Sequence, residues 1–161
     1  MDYTKLWIAF YRGGDSWYHR LIRWWTNSVH SHVELVVPGD MRLGITPFEK
    51  SCVSIRPPPD DPDSWDLLEI DVTPEQLAAV WLFFCETEGD DYDWVGLVLS
   101  HVTPLSIRHG KRWFCSRWIA TALAVAGVVS VGEIGIHDSI DMSPQRLWER
   151  LTSIVDSRTA N

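Results

Sequence analysis

The spacing of apolar residues changes along the chain, and each change marks an element. Lys5–Phe10 (KLWIAF) reads as a first strand closed by Gly13-Gly14. Asp15 or Ser16 can cap a helix that runs to about Thr26, on which Trp17, Leu21, Trp24 and Trp25 recur at spacings of three and four. Ser31–Val37 (SHVELVV) is a second strand, ended by the turn Pro38-Gly39-Asp40. Met41–Thr46 and Cys52–Arg56 are two further strands around a loop at Pro47. Pro57–Asp63 (PPPDDPD) is the strongest breaker and reads as a surface loop or internal linker. Trp65–Val72 is a strand. Thr73, Pro74 and Gln76 hold the positions of an N-cap, a first helical residue and a capping-box partner, so a helix runs from Pro74 to about Glu88.

Gly89–Tyr92 breaks that helix, Asp93–Ser100 is a short helix, and His101–Arg112 is irregular. Trp113–Ala126 is a helix ended by Gly127. Ser143 caps a last helix with Pro144 at its first position and Leu147, Trp148 and Leu151 on one face. The order is strand, helix, a run of strands, then helices, which is α+β rather than a doubly wound parallel sheet. Residues 1–155 are expected to form one domain, and residues 156–161 a frayed polar tail.

Composition narrows the class. The chain has 161 residues, 45% hydrophobic and 22% charged, enough for a core and ordinary for a folded domain. Its net charge of −8 argues against nucleic-acid binding and against anchoring to an anionic membrane, and it is compatible with a cationic or peptide-like substrate. Three cysteines without a repeating spacing are not a disulfide framework and fit a reducing compartment. The N-terminus lacks the basic and apolar regions of a signal peptide, and the apolar run near Ile119–Val131 is short for a membrane span. These features predict a cytoplasmic protein without membrane insertion. Most of the ten tryptophans are expected in the core, with some indoles lining a groove or a partner surface.

Two places could carry chemistry. Cys115 lies in Lys111-Arg112-Trp113-Phe114-Cys115-Ser116-Arg117-Trp118, at the start of an apolar helix. Unpaired N–H groups, the positive end of the helix dipole and three basic neighbours all favour a thiolate there. The same N–H groups could hold an oxyanion. The alternative is a structural cysteine in a tight helix–sheet contact. His32 and Glu34 lie two apart on a strand and so share a face, where a carboxylate could orient an imidazole. The alternative is the solvated outer face of an antiparallel strand.

His30 extends that face to His30-x-His32-x-Glu34, a conceivable metal-ligand set, but the chain has no HExxH or CxxC motif. His19, His101, His109 and His137 are scattered. Cys52 and Cys85 look structural, with Cys85 in the apolar stripe of the Pro74–Glu88 helix. The acidic run Glu86–Asp91 lacks EF-hand spacing. No GxGxxG, Walker-type or GxSxG motif occurs, and no cofactor is expected.

The order of the pieces resembles the circularly permuted branch of the NlpC-type papain-like superfamily, including small bacteriophage-encoded members. The helix and Thr26 before SHVEL, the strand Val53–Arg56, Tyr92-Asp93-Trp94-Val95-Gly96, Phe114-Cys115-Ser116 and Ser143-Pro144-Gln145-Arg146-Leu147 each match a piece of it. In this branch the His strand precedes the Cys helix. The resemblance implies a papain-like antiparallel sheet or partial barrel packed against helices. It implies Cys115 as nucleophile and His32 as base. Glu34 is the choice for the third member, with Thr46 and Glu49 as alternatives because family members often place that residue on the next strand. Tyr92 either borders the oxyanion site or packs. Arg117 departs from the family, which commonly has Glu there.

The implied function is a cysteine peptidase or amidase that cleaves an amide or acyl bond through a thiol acyl-enzyme, with peptidoglycan peptides as one substrate class. Two readings stand beside it. One is a catalytically silent binding module, such as a phage protein that blocks a host protein partner. The other is a metal hydrolase built on His30, His32 and Glu34.

Overall fold

Period-two alternation in five segments builds one antiparallel sheet. The computed structural model describes residues 3–14, 16–46, 52–93, 112–135 and 142–160. The strands are β1 (Thr4–Tyr11), β2 (His32–Val37), β3 (Met41–Ile45), β4 (Val53–Arg56) and β5 (Trp65–Val72), in the spatial order β4-β3-β2-β1-β5. All neighbours are antiparallel. The turn between β2 and β3 pairs Val37 with Met41, and Gly39 adopts φ 94°, a conformation open to glycine.

The register sorts the two faces. Leu6, Ile8 and Phe10 of β1 lie with Val33, Leu35 and Val37 of β2, Leu43 and Ile45 of β3, and Ile70 and Val72 of β5 in one buried apolar layer. Helices α2 (Pro74–Thr87) and α3 (Cys115–Val125) pack on each other, and α3 lies against β2 and β3. Trp118, Ile119, Ala122 and Leu123 of α3 are completely buried or nearly so. Each such large side chain contributes on the order of 1.5–3 kcal/mol of apolar burial. Helix α5 (Pro144–Thr159) closes the layer with Leu147 and Leu151. The opposite face carries Tyr11, His32, Glu34, Arg42, Arg56 and Trp65 and holds the site described below.

Helix α2 has the full capping box expected from its sequence. Gln76 N–H donates to Thr73 Oγ1 at 3.3 Å, and Thr73 N–H donates to Gln76 Oε1 at 3.0 Å. Other elements differ from expectation. Helix α3 begins at Cys115, not Trp113, because Arg112–Trp113 form a short strand β7 that pairs in parallel with β6 (Asp91–Tyr92). A one-turn helix α4 (Val131–Ile134), capped reciprocally by Ser130 and Glu133, escaped the pattern because four residues show no period.

The expected frayed tail is instead the last turn of α5, which runs to Thr159 and is tied down by Arg158 Nη2–H donating to Val128 O at 2.9 Å. In α1 (Trp17–Thr26) the stripe of Trp17 and Trp24 points outward, 72% and 79% exposed, while Tyr18 and His19 turn inward. Cys85, expected in an apolar stripe, is exposed. The expected helix at Asp93–Ser100 and most of the irregular stretch to Arg112 lie outside the described residues. Among the described residues no helix is long and apolar enough to cross a membrane.

Candidate active site

Cys115 owes its position to a change of backbone type. Strand β7 is held against β6 by Asp93 N–H donating to Trp113 O at 2.7 Å. Phe114 remains extended at φ −115°, ψ 157° and serves as N-cap, and Cys115 is the first helical residue. Phe114 makes no side-chain cap, and the first-turn N–H groups precede the intrahelical ladder. Ser116 Oγ–H donates to Met142 O, and Trp118 Nε1–H donates to Thr87 Oγ1 at 2.9 Å. These bonds fix the rotation of α3 and so the direction of the thiol. Cys115 is 5% exposed.

The His32 ring, from the start of β2, hydrogen-bonds the Cys115 side chain. Its Nε2 lies 3.2 Å from Glu34 Oε1. Burial alone would lower the His32 pKa, but the charge and hydrogen bond of Cys115 and the bond to Glu34 outweigh it and raise the value from 6.5 to about 9. At neutral pH the ring therefore holds its proton beside the sulfur.

Glu34 is 2% exposed and is surrounded by cations. Arg42 Nη1–H donates to its Oε2 at 2.8 Å, and Arg56 donates to its Oε1 through Nε at 2.9 Å and through Nη2. Burial would raise the Glu34 pKa, but His32, Arg56 and Arg42 overcome that and push it down from 4.5 to about 2. The carboxylate is therefore an acceptor throughout the useful pH range. His32 and Glu34 thus form a buried network, not the solvated strand face that was the sequence alternative.

A cleft of about 290 Å³ opens on this network from the sheet side, with Tyr11, Tyr18, His19, Thr46 and Trp65 among its walls. It reaches the pair through His32, and Cys115 is not part of its lining. His19 Nδ1 lies 2.9 Å from Ser31 Oγ. Burial, then the charges of His32 and Arg23, lower its pKa to about 4, so His19 is neutral at pH 7. Tyr92 is buried next to Cys115. Burial first, then the charges of Cys115 and Asp93, raise its pKa well above 10, so it stays a phenol.

The structure therefore brings Cys115, His32, Glu34 and Tyr92 together, and Thr46 lines the cleft. Arg117 instead stacks on the Trp113 ring, 5.8 Å from its centroid. Glu49 lies outside the described residues. The His30/His32/Glu34 ligand set does not form. His30 puts Nδ1 3.1 Å from Gln145 Oε1 and Nε2 2.9 Å from Asp66 Oδ2, with its ring against Phe10 and Trp148. Among the described residues no group of three or more His, Cys, Asp or Glu is placed to hold a metal ion.

Sequence reasoning missed Arg42, Arg56, His19, Tyr11 and Trp65. The two arginines had a readable signal. Arg42 alternates with Leu43 as Arg56 does with Ile55, and a tight turn at Pro38-Gly39-Asp40 brings Arg42 onto the Glu34 face. No family model, no curated protein and no solved structure matches this chain.

Proposed function

We propose that this domain is a cysteine hydrolase of the permuted papain-like kind, cleaving an amide or ester through a thiol acyl-enzyme. The observation that supports the reading most is the succession of helix-start thiol, imidazole and buried carboxylate in Cys115, His32 and Glu34. With Nε2 engaged by Glu34, Nδ1 is the ring nitrogen left for the sulfur. The thiolate attacks the carbonyl carbon, and the oxyanion is held by first-turn N–H groups of α3 with the Tyr92 phenol nearby. His32 gives its proton to the leaving amine or alcohol. It then takes a proton from the water that breaks the thioester, which releases the acid and restores the thiolate beside protonated His32.

Glu34 keeps the imidazole oriented and supports its positive charge without itself becoming protonated. Peptide-like amides, peptidoglycan peptides among them, are the substrate class the family resemblance suggests.

The test is thiol alkylation against pH with mass-spectrometric mapping, for wild type, Cys115→Ala and His32→Ala. Fast reaction of Cys115 near neutral pH, reduced about 100-fold or more in His32→Ala, is the expected result. A Cys115 no faster than Cys52 and Cys85 would leave a binding domain with a structural thiol as the better reading.

A further inference from the structure

The cleft beside His32 carries more positive charge on its floor than its one buried carboxylate can match. Arg42 and Arg56 both line it, with side chains only 14% and 8% exposed. Glu34 supplies a single negative charge between them. Arg42 directs Nε–H to Pro57 O at 2.7 Å and Nη1–H to Glu34. Arg56 directs Nε–H and Nη2–H to Glu34 and Nη1–H to Ser54 Oγ at 3.0 Å. A guanidinium has five N–H hydrogens. Both arginines therefore keep donors that no described residue accepts.

A pocket floor with two arginines on one carboxylate, and with guanidinium hydrogens that no described residue accepts, is built for an anion, and the planar fork of arginine matches a carboxylate best. The aromatic walls Tyr11, Tyr18 and Trp65 and the neutral His19 carry no charge at pH 7. Asp60 and Asp61 also line the cleft, but both are exposed, where water and salt screen them. Glu34 touches both arginines and His32, so an anion held on the arginines is separated from His32 by that one carboxylate.

We propose that Arg42 and Arg56 bind a carboxylate of the substrate, so that the cleaved compound is a small acyl or peptide group with a carboxylate near the scissile carbonyl. The inference rests on the Cys115–His32 reading above. Two measurements test it. In the wild-type protein, succinate should slow iodoacetamide alkylation of Cys115 and succinamide should not. The rate ratio of iodoacetate to iodoacetamide should fall about tenfold in Arg42→Gln, the worth of one charge-assisted hydrogen bond.

Fast iodoacetamide reaction with no protection by succinate, and a ratio unchanged by Arg42→Gln, overturns the carboxylate pocket and leaves the Cys–His pair standing. A Cys115 slow toward iodoacetamide itself overturns the pair, and the pocket's role with it.

Discussion

Glu34 and Arg56, two strands apart in the sheet, meet over the bare backbone of Gly44. Arg56 Nε–H donates to Glu34 Oε1 at 2.9 Å, and a Cβ on residue 44 would lie 3.4 Å from Arg56 Nη2 and 3.5 Å from Glu34 Cγ. This contact is buried, so its parts are not independent. Arg56→Met removes one partner and leaves the carboxylate leaning on Arg42 and His32, and it is expected to cost about 3–5 kcal/mol. The double variant Glu34→Leu, Arg56→Met should lie closer to wild type than the sum of the two single variants. Urea unfolding of the four proteins measures the coupling. Additive effects would mean that the bond contributes nothing to stability.

Glu34→Gln keeps the shape and removes the charge. The His32 pKa of about 9 depends on Glu34 as well as on Cys115, so it should move down from 9 toward the ordinary 6.5. Histidine titration by NMR reads this directly. Any activity that needs protonated His32 as the general acid should then fail at lower pH than in wild type, where the alkaline loss is centred near 9. A His32 titration unchanged by the substitution would remove Glu34 from the site.

The face-sharing of His32 and Glu34 was legible because strand period fixes it within five residues. The helix start at Cys115 was legible only to within two residues. What shifted it is the pairing of Asp91–Tyr92 with Arg112–Trp113, a contact between segments 20 residues apart that no local pattern encodes. The sheet was readable as five strands. The role of Arg42 and Arg56 depends on register across β2, β3 and β4, which becomes definite only when the apolar layer packs. The outward Trp17 and Trp24 follow the same logic. Helical spacing shows that a stripe exists, and only packing decides which side of α1 meets the sheet.

Stability should pass through a maximum in pH. Glu34 is lowered from 4.5 to about 2, so its contribution is complete above 4.5 and is lost as pH falls through 2. His32 is raised from 6.5 to about 9, so its contribution is complete below 6.5 and is lost as pH rises through 9. His19 is lowered from 6.5 to about 4, so it adds a loss as pH falls from 6.5 toward 4, and urea midpoints should be highest near pH 6.5. Cys115→Ala should flatten the alkaline side, because the charge on Cys115 is the largest of the effects that hold the proton on His32. An equally steep alkaline loss in Cys115→Ala would place its origin elsewhere.

Tyr92→Phe separates a role in acyl transfer from a role in packing. The ring is buried beside Cys115 and its phenol stays protonated at working pH, so the hydroxyl can donate to an oxyanion. Alkylation of a thiol passes through no tetrahedral oxyanion, whereas hydrolysis of an activated ester such as p-nitrophenyl acetate does. Tyr92→Phe should keep fast alkylation of Cys115 and lower ester turnover by about 100- to 1,000-fold, the usual loss for one oxyanion donor. If both rates fall together, the phenol is holding the thiol in place. If neither falls, the first-turn N–H groups of α3 hold the oxyanion without it.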